Sequence, residues 1–423
     1  MPEAINTVSV IGLGYVGLPT AAVIANRGLD VIGVDTREAT VAAISNGDTP
    51  IEEPDLDILV RSAVSSGRLM AISKPRAADV FVIAVPTPFK EGKTPDLSYL
   101  EAAVDSIAPV IAKGNLVILE STSPVGTTEQ IADWLAAHRF DLSFPGKGSD
   151  APDVHIAHSP ERVLPGRVLI ELVDNERVIG GITPSCSERA AEFYRLFVKG
   201  RIHVTDARTA ELVKLAENAY RDTNIAFANE MSLVCDQLGI NVWDVILLAN
   251  RHPRVEILKP GPGVGGHCIA VDPWFIVDSA PEHTPLIQTA RNVNDRKPET
   301  IVHKILEMAS DINADAISCL GLAYKADIDD LRESPSVEIV KTLAGTFQGT
   351  LCVVEPHIGD LPGELEGFGN VELVSLETGL NRAGVVVLLT DHREFAAVPD
   401  QISAGTLTLD TRGAWSKSQT AER

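Results

Sequence analysis

The sequence is short of basic residues: 36 Lys and Arg stand against 58 Asp and Glu, a formal charge of −22 over 423 residues. A chain this acidic repels a polyanion, which argues against sequence-independent binding to nucleic acid. It has no apolar run long enough to cross a bilayer. Its start, MPEAINTVSVIGLGYVG, lacks the basic stretch and long apolar segment of a secretion signal, so a cytoplasmic protein that does not engage membranes is expected. Cysteines are few, five in all (186, 235, 268, 319 and 352), and none forms a CxxC pair. That scatter fits reduced thiols better than a disulfide framework or a structural zinc site, and no metal is expected. Low-complexity tracts, short internal repeats and coiled-coil heptads are absent from the sequence. What remains is a globular chain, 45% hydrophobic, whose length predicts two or three domains.

What is present begins with TVSVIGLGYVGLPTAAVIANRGLDVIGVD. Val8 to Ile11 read as a strand, an alanine-rich helix runs to Asn26, and a second strand, Val31 to Val34, ends at Asp35. Gly12, Gly14 and Gly17 fill a G-x-G-x-x-G pattern between strand and helix. In that context the glycines permit the turn and let a pyrophosphate sit on the helix N-terminus, while Asp35 can bind ribose hydroxyls. An acid there repels a 2′-phosphate, so NAD is expected in preference to NADP. The segments DVFVIAVPTP (79–88) and NLVILESTSP (115–124) are nearly continuous in apolar character, as parallel strands buried on both faces should be. Thr87 and Thr122 fall just past their ends, where open α/β sheets bind ligands. VHIAHSPER and ERVIGG are two further candidate strands.

The texture then changes. Residues 209–239 form one long helical pattern, with Thr209 as N-cap and Gly239 as its stop, and little strand signal follows until about residue 315. DAISCLGLAYK, TLCVVEP and GVVVLLTDH then alternate with helical stretches. The fold class expected is α/β: an N-terminal Rossmann-type parallel-sheet domain (1–205), a central long-helix segment (206–305) and a smaller C-terminal α/β domain (306–423). Residues 416–423 read as a frayed tail.

Four groups of residues could carry chemistry. Lys214, Asn218 and Arg221 are spaced i, i+4, i+7 and share a helix face, which is either a solvated stripe or a binding face in a cleft. The segment NRHPRVEILKPGPGVGGHCIAVDPW gathers His252, Arg254 and Lys259 ahead of four glycines (261, 263, 265, 266), then Cys268 and Asp272. Cations lower a thiol's pKa, so Cys268 reads as a nucleophile presented to a substrate lying against bare backbone; a flexible loop with a small buried cysteine is the alternative. Glu161, in HSPERVLPG, is a general base toward water or merely a solubilising acid. GLAYKADIDDLRESPS places Lys325 and Arg332 around an acidic turn that could equally satisfy its own ion pairs.

Taken together, GLGYVGLP, ESTSPVGTT, SPERVLPG, ELVKLAENAYRD, GPGVGGHCIAVDPW and GLAYKADIDDLRESP resemble the UDP-glucose/GDP-mannose dehydrogenase family, in the family's order and across nearly the whole chain. RHPRV followed by GGHC resembles the branch that oxidises UDP-N-acetylhexosamines. The resemblance implies oxidation of a C6 alcohol to a carboxylate with two NAD+, UDP-N-acetyl-D-mannosamine being the substrate it favours and UDP-N-acetylglucosamine the alternative. It implies that Cys268 forms a thiohemiacetal and then a thioester. Lys214 then steadies the developing oxyanion, with Asn218 as its helical partner. Asp272 serves proton transfer and lysine positioning, Thr122 hydrogen-bonds the reacting water, and Glu161 is the base for hydrolysis. It further implies substrate contacts at Arg162, Val163, Lys214, Asn218, Arg221, His252, Arg254 and Gly265, and nucleotide-sugar or cofactor contacts at Tyr324, Lys325, Arg332 and Arg412. Tyr15, Val16, Asp35, Thr87 and Thr128 fall to NAD, and the central helices to a homodimer. The cations thus concentrate in motif blocks, where a diphosphate needs partners. The chain departs from the family at Pro165, where members acting on UDP-glucose commonly carry a second glutamate. A cofactor-binding regulatory protein without turnover is the alternative of another class, opposed by the intact Cys268, Lys214, Asn218 and Asp272.

Overall fold

The computed structural model describes residues 4–415 except 52, 91, 147–151, 165 and 267, so Pro165 and the 416–423 tail lie outside the described residues. The chain divides into two compact units, Met1–Glu217 with Trp274–Pro281, and Asn218–Pro273 with Glu282–Arg423.

The first unit is built on eight strands: β1 (Thr7–Ile11), β2 (Asp30–Val34), β3 (Leu69–Ile72), β4 (Val80–Ile83), β5 (Leu116–Leu119), β6 (His155–His158), β7 (Arg177–Gly181) and β8 (Ile202–Asp206). Their order in the sheet is β3-β2-β1-β4-β5-β6-β7-β8, and every pair is parallel except β6 with β7. The order reverses between β1 and β4, the switch point at which doubly wound sheets open a crevice for ligands. Both faces are covered. In β4, Val80 and Val82 join the core under helix Gly17–Asn26, while Phe81 and Ile83 join the one under Ser98–Ile107 and Thr127–His138. This double burial is why the strand reads as an unbroken apolar run.

The second unit carries β9 (Ala316–Leu320), β10 (Thr350–Val354), β11 (Val371–Leu373), β12 (Val385–Leu388) and β13 (Leu407–Asp410), all parallel, in the order β11-β10-β9-β12-β13. It too is packed on both faces, Ile317 and Cys319 toward one core and Leu320 toward the other. The expected α/β class, with a long helical segment between two sheets, is what the structure shows. Helix Ala207–Leu238 is 32 residues long and begins at the residue after β8, with no intervening loop. Thr209 is not its N-cap. The helix starts two residues earlier, and the Asp206 carboxylate accepts hydrogen bonds from the Thr209 N–H (2.9 Å) and hydroxyl (2.6 Å). The chain does leave the helix at Gly239, whose φ of 67° is the left-handed conformation that glycine adopts freely.

Candidate active site

The turn after β1 needs glycine for two different reasons. Gly12 has φ 93°, and a Cβ there would stand 2.7 Å from the Ala84 carbonyl oxygen. A Cβ on Gly17 would collide with the Gly12 carbonyl. At Gly14, by contrast, an added Cβ would meet no protein atom within 4 Å, so the protein's own packing does not require that glycine. The open space at the helix N-terminus is of the kind a closely approaching phosphate would use. Asp35, at the end of β2, is buried; its Oδ2 accepts from the Leu13 N–H (3.1 Å) and its Oδ1 from the Arg37 N–H (2.9 Å). These residues fit a dinucleotide. Tyr15 is exposed and Val16 half-buried beside them. Thr87 donates its hydroxyl to the Thr122 carbonyl, joining the loops after β4 and β5 at 2.5 Å. Thr128 is fully buried, and its N–H and hydroxyl both donate to Glu211 Oε1 (2.7 and 2.5 Å). Glu211 also accepts the Gly126 N–H, so it caps helix Thr127–His138, and burial raises its pKa.

On the same unit Glu161 is buried just beyond β6. Its Oε1 accepts from the Arg162 N–H (2.7 Å), and its Oε2 lies 2.7 Å from Arg177 Nη2. It is therefore not a solubilising surface acid. The Arg162 side chain pairs with Glu217 (2.7 Å), and Val163 packs on the first core. Lys214, only 9% exposed, carries its charge near His158, and burial together with that charge pulls the His158 pKa down to about 3.

In the second unit the Asn218 amide donates to Asp272 Oδ2, both side chains being buried. The solvated-stripe reading thus fails at Lys214 and Asn218 and holds only at Arg221, which is exposed. Asp272 opens helix Asp272–Ser279, and its N–H donates to the Cys268 carbonyl (2.9 Å), so one turn of backbone links acid and thiol. Cys268 is exposed, whereas the other four cysteines are buried.

The glycines ahead of it face protein. A Cβ at Gly265 would lie 2.8 Å from Tyr324 Cβ and 2.5 Å from the Glu333 carbonyl, one at Gly266 would meet the Tyr324 ring, and one at Gly261 would stand 2.7 Å from Arg412 Nη1. Bare backbone here lets the loop lie flush on the segment after β9. The loop is not filler: at these positions the missing side chains make room for neighbouring protein. Its start is fixed from behind: the Gly261 N–H donates to Asn229 Oδ1, Asn229 donates to Asn294, and Asn294 donates to Asp222. Arg291, buried, pairs with that same Asp222 and with Asp295.

Two of the expected nucleotide-sugar contacts are satisfied locally: Arg332 is bidentate on Asp330 (2.8 and 2.6 Å), and Arg412 Nε bonds Asp391 (3.0 Å). Lys325 is half-buried, while His252 and Arg254 are exposed, the His252 Nδ1 accepting from the Arg254 N–H. Asp327, His357, His392 and Glu394 offer ligand atoms within 4.8 Å of one another, but the two His392 nitrogens are already engaged by the Asp327 N–H and by Glu355.

Three consecutive domain descriptions of one family match the chain: the NAD-binding domain over residues 6–198, the central domain over 208–296 and the UDP-binding domain over 318–417. The chain belongs to the UDP-glucose/GDP-mannose dehydrogenase family. It is an NAD-dependent nucleotide-sugar dehydrogenase, an oxidoreductase. Among its relatives is an NDP-N-acetyl-D-galactosaminuronic acid dehydrogenase from Ralstonia nicotianae, 58% identical over 98% of each chain. A UDP-N-acetyl-D-mannosamine dehydrogenase from Campylobacter jejuni is 57% identical over 93% of this chain and 97% of that one. The solved structure of a UDP-D-ManNAc dehydrogenase from Pyrococcus horikoshii superposes with a TM-score of 0.87 at 39% identity, covering 97% of this chain and 96% of that one. No helix among the described residues is long and apolar enough to cross a membrane.

Sequence reasoning passed over Glu211, Arg177, Glu120, Asp222, Arg291 and Asn294. Each is a polar side chain buried against a partner distant in sequence, and no local pattern signals such a pairing.

Proposed function

We propose that this dehydrogenase oxidises the C6 alcohol of UDP-N-acetyl-D-mannosamine to the carboxylate through a covalent bond to Cys268. The observation that carries the reading is the exposure of this one thiol, one turn ahead of an Asp272 held by Asn218. NAD+ supplies the hydride acceptor for both oxidations. In the first, C6 loses a hydride and its hydroxyl a proton, leaving an aldehyde. Cys268 sulfur bonds that carbon, its proton passing to the aldehyde oxygen. Loss of the second hydride and of that proton gives a thioester, which water cleaves to carboxylate and free thiol. One sugar and one water thus consume two NAD+ and release two NADH and three protons.

Lys214 and Asn218, one helical turn apart, take the roles of steadying charge on the C6 oxygen, Asp272 orients them, Thr122 holds the water, and Glu161 accepts its proton. Arg162, Val163, Arg221, His252, Arg254, Gly265, Tyr324, Arg332 and Arg412 are assigned to the UDP-sugar, and Tyr15, Val16, Asp35, Thr87, Thr128 and Lys325 to the cofactor. The galactosaminuronate relative at 58% identity favours a second reading in which the galacto epimer is the substrate. NADH counted per sugar on purified UDP-N-acetyl-mannosamine, -galactosamine and -glucosamine separates the readings. Two NADH per sugar with highest kcat/KM on the manno epimer is expected; a clear preference for either other epimer overturns that choice.

We also propose a homodimer formed along helix Ala207–Leu238. Tyr220, Phe227 and Val234 stand exposed at seven-residue intervals on it, with Leu238 beyond, and such a seam suits pairing with a second copy. Sedimentation at micromolar concentration should give twice the chain mass, and Phe227→Glu should shift it toward the single-chain value. A wild-type protein sedimenting as one chain removes the proposal.

A further inference from the structure

Behind Glu161 lies a buried cluster that the dehydrogenase reading does not use. Arg177, the first residue of β7, is 3% exposed and sends its two terminal nitrogens to two different carboxylates. Nη2 is 2.7 Å from Glu161 Oε2, while Nη1 is 3.8 Å from Oε1 of Glu120, which follows β5 and is fully enclosed. Nη1 makes no hydrogen bond. The guanidinium lies over the Tyr194 ring, 5.2 Å from its centroid. Glu120 also receives hydrogen bonds from the Thr20 hydroxyl (3.2 Å) and the Tyr194 phenol (3.4 Å). Among the described residues, this end of the sheet also carries His158, neutral through burial, with the Lys214 charge beyond it, and two pairs nearer the surface, His203 with Glu176 and Arg162 with Glu217.

We propose that Arg177 is a positioning residue for Glu161 in the hydrolytic step, and that Glu120 is a second claimant on the same guanidinium. The proposal rests on the reading of Glu161 as hydrolytic base. Glu161 has one oxygen on the Arg162 N–H, while the other makes no hydrogen bond and lies 2.7 Å from Arg177 Nη2, so the guanidinium holds that second oxygen by charge. In hydrolysis, a water oxygen bonds C6 as one water proton passes to Glu161. The C–S bond breaks with its electron pair going to sulfur, sulfur takes the proton from Glu161, and the new carboxylic acid loses its own proton to solvent. A base in this role works only within hydrogen-bond reach of the water, so swinging the carboxylate away stops the step.

Two buried carboxylates share one cation, and a dry site resists the surplus negative charge. The surplus is relieved at Glu120: burial first, and the charge of Glu161 second, raise its pKa to about 8, against the opposing pull of Arg177 and its two hydroxyl donors. Burial and Glu120 raise the Tyr194 phenol as well, so the phenol stays a donor. Below that pH Glu120 is a neutral acid and the guanidinium belongs to Glu161. Above it, Glu120 ionises and competes, and hydrolysis slows on the alkaline side.

The experiment is single-turnover hydrolysis of the Cys268 adduct, followed by rapid quench and intact-protein mass spectrometry across the pH range, in wild type, Arg177→Met, Glu120→Gln and Glu161→Gln. Arg177→Met should release its NADH as the wild type does yet accumulate adduct, with hydrolysis slowed about 100-fold. Glu120→Gln keeps the shape of the neutral acid without its ionisation and should lose the alkaline fall-off. Hydrolysis at the wild-type rate in Arg177→Met, or an unchanged alkaline limb in Glu120→Gln, overturns the proposal. Should Arg177→Met not fold, the Glu120→Gln profile decides alone. If Glu161→Gln stalls while the other two variants match wild type, only the positioning role fails. If Glu161→Gln itself hydrolyses normally, the assignment of the base fails first.

Discussion

Cys268→Ala is expected to make no uronate while binding NAD+ as tightly as the wild type. The proposed covalent route needs a sulfur that can reach C6, and Cys268 is the one exposed thiol of five. None of the others can stand in. Cys319 and Cys352 sit in the core of the second unit, where burial raises both thiols, Cys319 to about 12, and a thiol held protonated is a poor nucleophile. Cys186 and Cys235 are likewise buried. The cofactor turn, Gly12 to Gly17 with Asp35, lies in the other compact unit and should be untouched by the change. Acid formation should therefore fall by about three orders of magnitude or more, the scale on which removing a nucleophile acts. NADH counted against sugar, chromatography of the product and a fluorescence titration with NAD+ measure all three quantities. Normal uronate yield from the alanine variant refutes covalent catalysis.

Arg291→Met should cost about 3–5 kcal/mol of stability, the penalty for removing one partner of a buried ion pair. Asp222 is wholly buried, and burial already raises its pKa against the pull of Arg291. Without the guanidinium its charge keeps the Asn294 amide as its one hydrogen-bond donor among the described residues, and the chain through Asn294 and Asn229 to the Gly261 N–H loses its anchor. The loss should appear in the urea midpoint and, because the loop bearing Cys268 starts at that N–H, in a lower kcat. The double variant Arg291→Met, Asp222→Leu replaces the pair with apolar groups and should recover part of the stability, though not the kcat. A single variant with an unchanged midpoint would show that the pair contributes nothing.

The cofactor turn was legible in the sequence because everything it needs is local: a strand, three glycines, a helix and an acid at the end of the next strand. The sheets were legible where strands are buried on both faces, as in VFVI and LVIL, and illegible where they are partly exposed, as in LMAI of β3 and IHVTD of β8. Thr209 was a reasonable cap by type, but Asp206, three residues earlier, offers two acceptor oxygens and takes the position. The glycine loop was only partly legible, for a different reason. Which surface a bare backbone faces depends on Tyr324, Pro335 and Arg412, some 60 to 150 residues away, and no periodicity encodes that. The same limit hid Arg177. ERVIGG announces a strand, but not that its arginine turns inward between two acids.

The direct passage from β8 into helix Ala207–Leu238 leaves the chain no slack at residue 206. A helix advances about 100° per residue, so one amino acid gained or lost at that junction would turn Lys214 by more than a quarter of a circle relative to the sheet. Drift in length must therefore be taken up elsewhere along the protein.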